Sequence, residues 1–67
     1  MNLTVNGETQ SFDPAPESIA VLLSQLGLEG KPVLVEHNGT ALFPRQFATT
    51  SVAENDTIEI IQIAAGG

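Results

Sequence analysis

The chain has no cysteine and only one histidine, His37. Without thiols, neither a disulfide nor a thiolate-bound metal can brace the fold, and a single imidazole rules out a histidine-rich metal cluster. Basic residues are nearly as scarce. Lys31 and Arg45 stand against eight acids, for a formal net charge of −6. Phosphate binding needs clustered Lys and Arg, so nucleic acid is not an expected partner. The excess of acid serves either solubility or steering toward basic surfaces on proteins, and composition leaves both open. No apolar run is long enough to span a bilayer. The opening "MNLTVNGETQ" carries neither the basic nor the apolar region of a signal peptide. A cytoplasmic protein with no membrane partner is the expectation. Repeats, low-complexity segments and linkers are missing as well.

What is present must fold on one small core. Sixty-seven residues lie near the lower limit for that, because so little of the surface can be buried. A hydrophobic content of 42% is enough for a core and argues against disorder.

Two hairpins and one helix can be read along the chain. Leu3 and Val5 alternate with Asn2 and Thr4, the period of a strand with one buried face. Asn6-Gly7 then supplies the positive φ angles of a type I′ turn, predicting strands at about 2–6 and 8–12. "DPAPE" is a connector, its two prolines lacking backbone donors. In "SIAVLLSQLG" the period changes: Ile19, Leu22, Leu23 and Leu26 share one helical face, Ser18 suits the N-cap and Gly27 the C-terminal stop. "VLVEHNGTALF" is the second hairpin, with Val33 and Val35 on one face, Asn38-Gly39 at the turn, Leu42 and Phe43 on the return strand and Pro44 ending it. "RQFATT" is irregular or a single helical turn anchored by Phe47, "VAENDT" a surface turn, and "TIEIIQI" the last strand. The order predicts an α+β domain with one helix on a mixed sheet.

The last strand breaks clean alternation. Ile58 and Ile60 are assigned to the core, which leaves Ile61 and Ile63 beside Glu59 on the other face. Those two isoleucines form either a docking patch or part of a second buried face. Ala64, Ala65, Gly66 and Gly67 follow, with almost no side chain between them. Such a segment is either a frayed end or a tip able to thread a narrow channel.

Taken together, the residues resemble a known family. The "VLVEHNG" stretch followed by "LFPRQF", the ending "ENDTIEIIQIAAGG", and the length and element order are similar to those of the ThiS-type sulfur carriers, which are ubiquitin-like proteins. Two departures stand out. Phe47 occupies a position where many members have tryptophan, and the turn between Val35 and Pro44 looks one residue longer, which predicts a bulge near Thr40-Ala41.

The resemblance implies a β-grasp domain over residues 1–63, with four to five strands on one helix, and a flexible Gly-Gly tail over 64–67. It also implies that the chain is a carrier rather than an enzyme and has no catalytic residue of its own. An E1-like adenylyltransferase would adenylate the Gly67 carboxylate with ATP. A persulfide sulfur, from a cysteine desulfurase-type donor, would convert it to a thiocarboxylate. Thiazole synthase would then receive the sulfur for thiamin biosynthesis. Ala64, Ala65 and Gly66 would let Gly67 reach partner active sites, and Ile61, Ile63, Glu59 and Arg45 would contribute to docking. No bound cofactor or metal is implied.

Three other functions remain open from sequence: a carrier for molybdopterin synthesis, a protein modifier forming isopeptide bonds, and an interaction module whose glycines are inert. Other polar residues have simpler readings. His37 beside Glu36 lacks the nucleophile and orienting group that catalysis needs. Arg45 either ties its loop to a nearby carbonyl or carboxylate or contacts a partner. Glu54, Asp56 and Glu59 form a solvated rim or a partner surface.

Overall fold

The computed structural model describes residues 1–64. In chain order it has β1 (Asn2–Val5), β2 (Glu8–Ser11), α1 (Ile19–Gln25), β3 (Val33–His37), β4 (Thr40–Leu42), a 3-10 turn (Pro44–Gln46) and β5 (Thr57–Gln62). Both predicted hairpins form. Their central residues have φ angles of 50 and 82° at Asn6 and Gly7, and 50 and 84° at Asn38 and Gly39. These are the paired positive angles that a two-residue I′ turn requires. Pairing of β3 with β4 then runs uninterrupted from His37↔Thr40 to Val35↔Leu42. The bulge expected near Thr40-Ala41 is therefore absent, because a two-residue turn already matches the strand twist and leaves no residue to extrude. Phe43 lies outside β4 and opens the 3-10 turn, its N–H donating to Gln46 Oε1 at 2.8 Å.

Helix α1 starts and stops as its sequence dictates. The Ser18 hydroxyl accepts from the Val21 N–H at 3.2 Å. The Ile19 and Ala20 N–H groups, which no helical carbonyl can reach, donate to the carbonyls of Thr50 and Phe47. At the other end Gly27 adopts a φ of 75°. The Gly27 N–H returns to the Ser24 carbonyl and the Leu28 N–H to the Leu23 carbonyl, the paired bonds of a Schellman stop. Ile19, Leu22 and Leu23 are buried. Each contributes at most about 1.5–3 kcal/mol by transfer bookkeeping, and seven helical residues have no stability without that packing.

The strands form one sheet in the order β2-β1-β5-β3-β4, parallel between β1 and β5 and antiparallel elsewhere. A mixed five-stranded sheet packed on one helix is the expected β-grasp. Strand β5 runs through its centre. Leu3, Val5, Val33, Val35, Ile58 and Ile60 meet Phe12 and the helix in a single core. Phe47 packs against its margin, partly buried. Val52 is also in the core, at 8% exposure. The surface turn expected over "VAENDT" is thus confined to its middle. Ser51 bridges to Ser18 and Thr50 accepts from Ile19, and this pins the segment along the start of the helix.

Both turn asparagines also act at long range on β5. Asn6 Oδ1 accepts from the Ile60 N–H at 2.7 Å, and its Nδ2 donates to the Ile60 carbonyl at 3.1 Å. The side-chain amide thus behaves as one more peptide unit beside β5. At the start of the strand Asn38 Oδ1 accepts from the Thr57 N–H at 2.8 Å, while the Asn38 backbone N–H donates to the Thr57 carbonyl.

Candidate functional site

The candidate site is built around the end of β5 and the sheet face turned away from the helix. Alternation along the strand places Ile58 and Ile60 inward at 0 and 7% exposure. Ile61 and Ile63 point outward, at 61 and 47%. Ile61 is directly opposite Leu34 on β3, which is 58% exposed. With Val33 and Val35 turned inward, Leu34 has no other direction available. The same alternation could therefore have identified Leu34 as a site residue from sequence.

One step along the outer face, Glu59 stands opposite Glu36, both exposed. The antiparallel register thus sets an apolar pair, Leu34↔Ile61, roughly 7 Å along the strands from an acidic pair, Glu36↔Glu59. Between them is a recess of ≈ 160 Å³, walled by Leu34, Glu36, Ala41, Glu59 and Ile61 among others. A larger groove of ≈ 750 Å³ lies around the margin of the sheet, bordered by Leu23, Leu28, Leu42, Phe43, Phe47 and Ile63 among its lining residues.

Arg45 is exposed on the 3-10 turn. Its guanidinium carbon sits 4.7 Å from the centroid of the Phe43 ring. In place of a tie to a carbonyl or carboxylate, Arg45 makes a cation–π contact. Phe43 is itself 60% exposed and was not anticipated as part of the site.

Beyond Gln62 the Ile63 N–H continues the ladder to the Pro32 carbonyl at 3.0 Å. Ala64 follows, exposed. The expected roles of Ala65, Gly66 and Gly67 fall on residues outside those described.

The titratable cluster of the molecule is elsewhere. His37 Nε2 is 2.7 Å from Asp56 Oδ2, at the beginning of β5. Asp56 also accepts from the Ala53 N–H at 2.9 Å and from Asn38 Nδ2 at 3.1 Å. Partial burial pushes its carboxyl pKa up, but hydrogen bonds from His37, Ala53 and Asn38, with the charge of His37, outweigh this and hold it below its ordinary value. Asp56 therefore does not belong to the solvated rim expected of it. A strand of six residues, roughly 20 Å long, separates this cluster from Ile63. Glu54 accepts from the Asn2 N–H at 3.0 Å and ties the turn before β5 to β1. Among the described residues no three His, Asp or Glu side chains are grouped to hold a metal ion, and no helix is long and apolar enough to cross a membrane.

The profile of the ThiS family matches residues 3–67. The chain belongs to the ThiS family. The crystal structure of a thiamine biosynthesis protein, ThiS, from Geobacter metallireducens superposes with a TM-score of 0.84 at 38% identity, over 100% of both chains. The solution structure of a thiamine biosynthesis protein from the same organism gives 0.82 at 38% identity, covering this whole chain and 88% of the other. A protein named thiazole synthase, from Paramagnetospirillum magneticum, is 33% identical over 67 residues. That match takes in all of this chain but spans only 20% of the relative's length. An uncharacterised protein, ycf40, of Porphyra purpurea is also 33% identical over 67 residues, covering 93% of its length.

Proposed function

We propose that the chain is a sulfur carrier of thiamin biosynthesis, whose Gly67 carboxylate is the group that other enzymes work on. Family membership across residues 3–67 carries this reading, because the match extends through both glycines and is not confined to the folded core. The fold adds support. β5 is the central strand, its pairing among the described residues runs as far as Ile63, and Ala64 is exposed. Four further residues, fully extended, could place a carboxylate about 14 Å beyond Ile63. Alanine and glycine are the residues that let a narrow active site admit such a segment.

The chemistry runs in balanced steps. A carboxylate is a poor electrophile, so an E1-like adenylyltransferase first supplies a leaving group. A Gly67 carboxylate oxygen attacks the α-phosphorus of ATP and expels pyrophosphate, forming an acyl-adenylate. The terminal sulfur of a persulfide, charged by a cysteine desulfurase-type donor, attacks the acyl carbon and expels AMP. A thiol then cleaves the resulting S–S bond and ends in a disulfide, leaving a thiocarboxylate on Gly67. In this scheme the chain contributes no acid or base; it is a substrate of its partners. Thiazole synthase is the proposed acceptor. Support comes from the Paramagnetospirillum protein of that name, which has a stretch similar to this entire chain within its own polypeptide.

Intact-mass measurement after incubation with the adenylyltransferase, ATP and a persulfide source tests the proposal. An oxygen-for-sulfur increment on the wild-type chain is expected. Deleting Gly67 should abolish it while leaving the unfolding temperature unchanged. Sulfur loading of the truncated protein, a covalent adduct with other proteins in place of the increment, or no change where a known carrier reacts would each overturn the reading.

A further inference from the structure

We infer that the recess between Leu34↔Ile61 and Glu36↔Glu59 is a socket for one basic side chain, best an arginine, presented by a protein partner. Glu36 and Glu59 are directly opposite on adjacent antiparallel strands, with Cβ atoms roughly 5 Å apart. Like charges in that relation destabilise a sheet. The four described salt-bridge and hydrogen-bond ties of this chain's acids go to Asp56 and Glu54, and none reaches either of these two. The chain's two cations are placed elsewhere: Arg45 is over Phe43, and Lys31 is in the loop before β3.

The other walls of the recess are apolar. Leu34, Ala41 and Ile61 face a space of ≈ 160 Å³. A long basic side chain matches this division, with its methylenes against the aliphatic wall and its charge between the carboxylates. A guanidinium is the better fit because its donors lie on several edges of one plane and can serve two carboxylates on opposite sides. A second copy of the chain is a poor occupant. Each copy carries a net charge of −6, so two such faces repel. A basic partner gains from the same charge during encounter.

This inference rests on the carrier reading, because the partners to be tested are the E1-like adenylyltransferase and thiazole synthase. The experiment compares three proteins: wild type, the double variant E36Q/E59Q, and the control E8Q/E17Q. The control changes net charge equally but on β2 and before α1, away from the recess. Affinity for each enzyme is measured at low and high salt, with sulfur loading followed in parallel at saturating adenylyltransferase. The expected result is a loss of at least about tenfold for E36Q/E59Q toward one or both enzymes, with a shallower salt dependence and no fall in unfolding temperature, while the control shifts affinity by no more than about twofold. Equal losses in the two double variants would reduce the effect to long-range steering and overturn the socket. Wild-type affinity in E36Q/E59Q, with normal sulfur loading, would also overturn it and leave the carrier reading standing. A wild-type chain that binds neither enzyme and gains no sulfur would remove both. Wild-type dimers that dissociate in E36Q/E59Q would assign the face to a second copy and overturn the inference too.

Discussion

Over its first four residues, β5 is held by side chains as well as by its neighbours. Asn38 takes the Thr57 N–H, Asn6 takes both polar groups of Ile60, and Asp56 closes a cluster with His37 and Ala53 just ahead of the strand. Over its last residues the pattern reverses. Among the described residues one backbone bond, from Ile63 to Pro32, follows the ladder, and Ile61 and Ile63 leave apolar surface uncovered near Leu34. A small domain has little apolar surface to spare for exposure. Burying Ile58 and Ile60 while exposing Ile61 and, just past the strand, Ile63 divides this segment into an anchored half and a half presenting uncovered apolar surface.

The largest effect that tests this division comes from the isoleucines themselves. Ile58→Ala empties a fully buried position and should cost about 2–5 kcal/mol in denaturant unfolding. For a domain of this size that is a large part of the total. Ile61→Asp, three residues further along, should cost no more than about 1 kcal/mol, for the lost Leu34 pair and the lower strand propensity of Asp, while weakening binding to thiazole synthase or the adenylyltransferase. If Ile61→Asp unfolds as readily as Ile58→Ala, the outer face is a second core surface and the contrast between the halves is lost.

A smaller effect isolates the asparagine clamp. Asn6 has two duties, a positive φ and a pair of bonds to Ile60. Glycine keeps the first and removes the second. Asn6→Gly should therefore lose about 1–2 kcal/mol, with hydrogen-exchange protection falling at the Ile60 amide. Asn6→Ala should lose more, because alanine is strained at that φ. A neutral Asn6→Gly would mean that the ladders to β1 and β3 hold β5 without the clamp and that the first turn serves only to reverse the chain.

These contrasts also divide what was legible in the sequence from what was not. Period and turn chemistry are local, and they located the helix, its Ser18 cap, its Gly27 stop and both I′ turns. They also separated Ile58 and Ile60 from Ile61 and Ile63, because a strand has only two faces. The roles that depend on distant partners were not legible. Asn6 meets Ile60 across 54 residues, and His37 meets Asp56 across 19. No periodicity encodes such pairs. Val52 was missed for the same reason, since its burial follows from the docking of residues 50–51 on the helix start. The expected bulge near Thr40-Ala41 came from a loop-length comparison, and the unbroken register overrules it. Leu34 was within reach, because inward Val33 and Val35 fix its direction, and so was its pairing with Ile61 once the two strands are taken as neighbours.

The smallest effect concerns the acid cluster at the anchored end. The Asp56 carboxyl is held below its ordinary value of 3.8 in the folded chain. A depressed carboxylate contributes stability that is fully present above the unfolded pKa and disappears as pH falls through the lower folded one. Wild type should therefore lose stability below about pH 4 in part through this group, and Asp56→Asn should lack that portion of the loss. The difference in unfolding free energy between the two proteins should be level near neutrality and narrow in acid. An amide at this position still accepts one bond and can donate another, but it cannot attract a protonated His37. A gap that stays constant down to the acid limit would assign the cluster's role to hydrogen-bond geometry alone. The anchored half of β5 would then be insensitive to acid, and pH could not be used to loosen it without disturbing the presenting half.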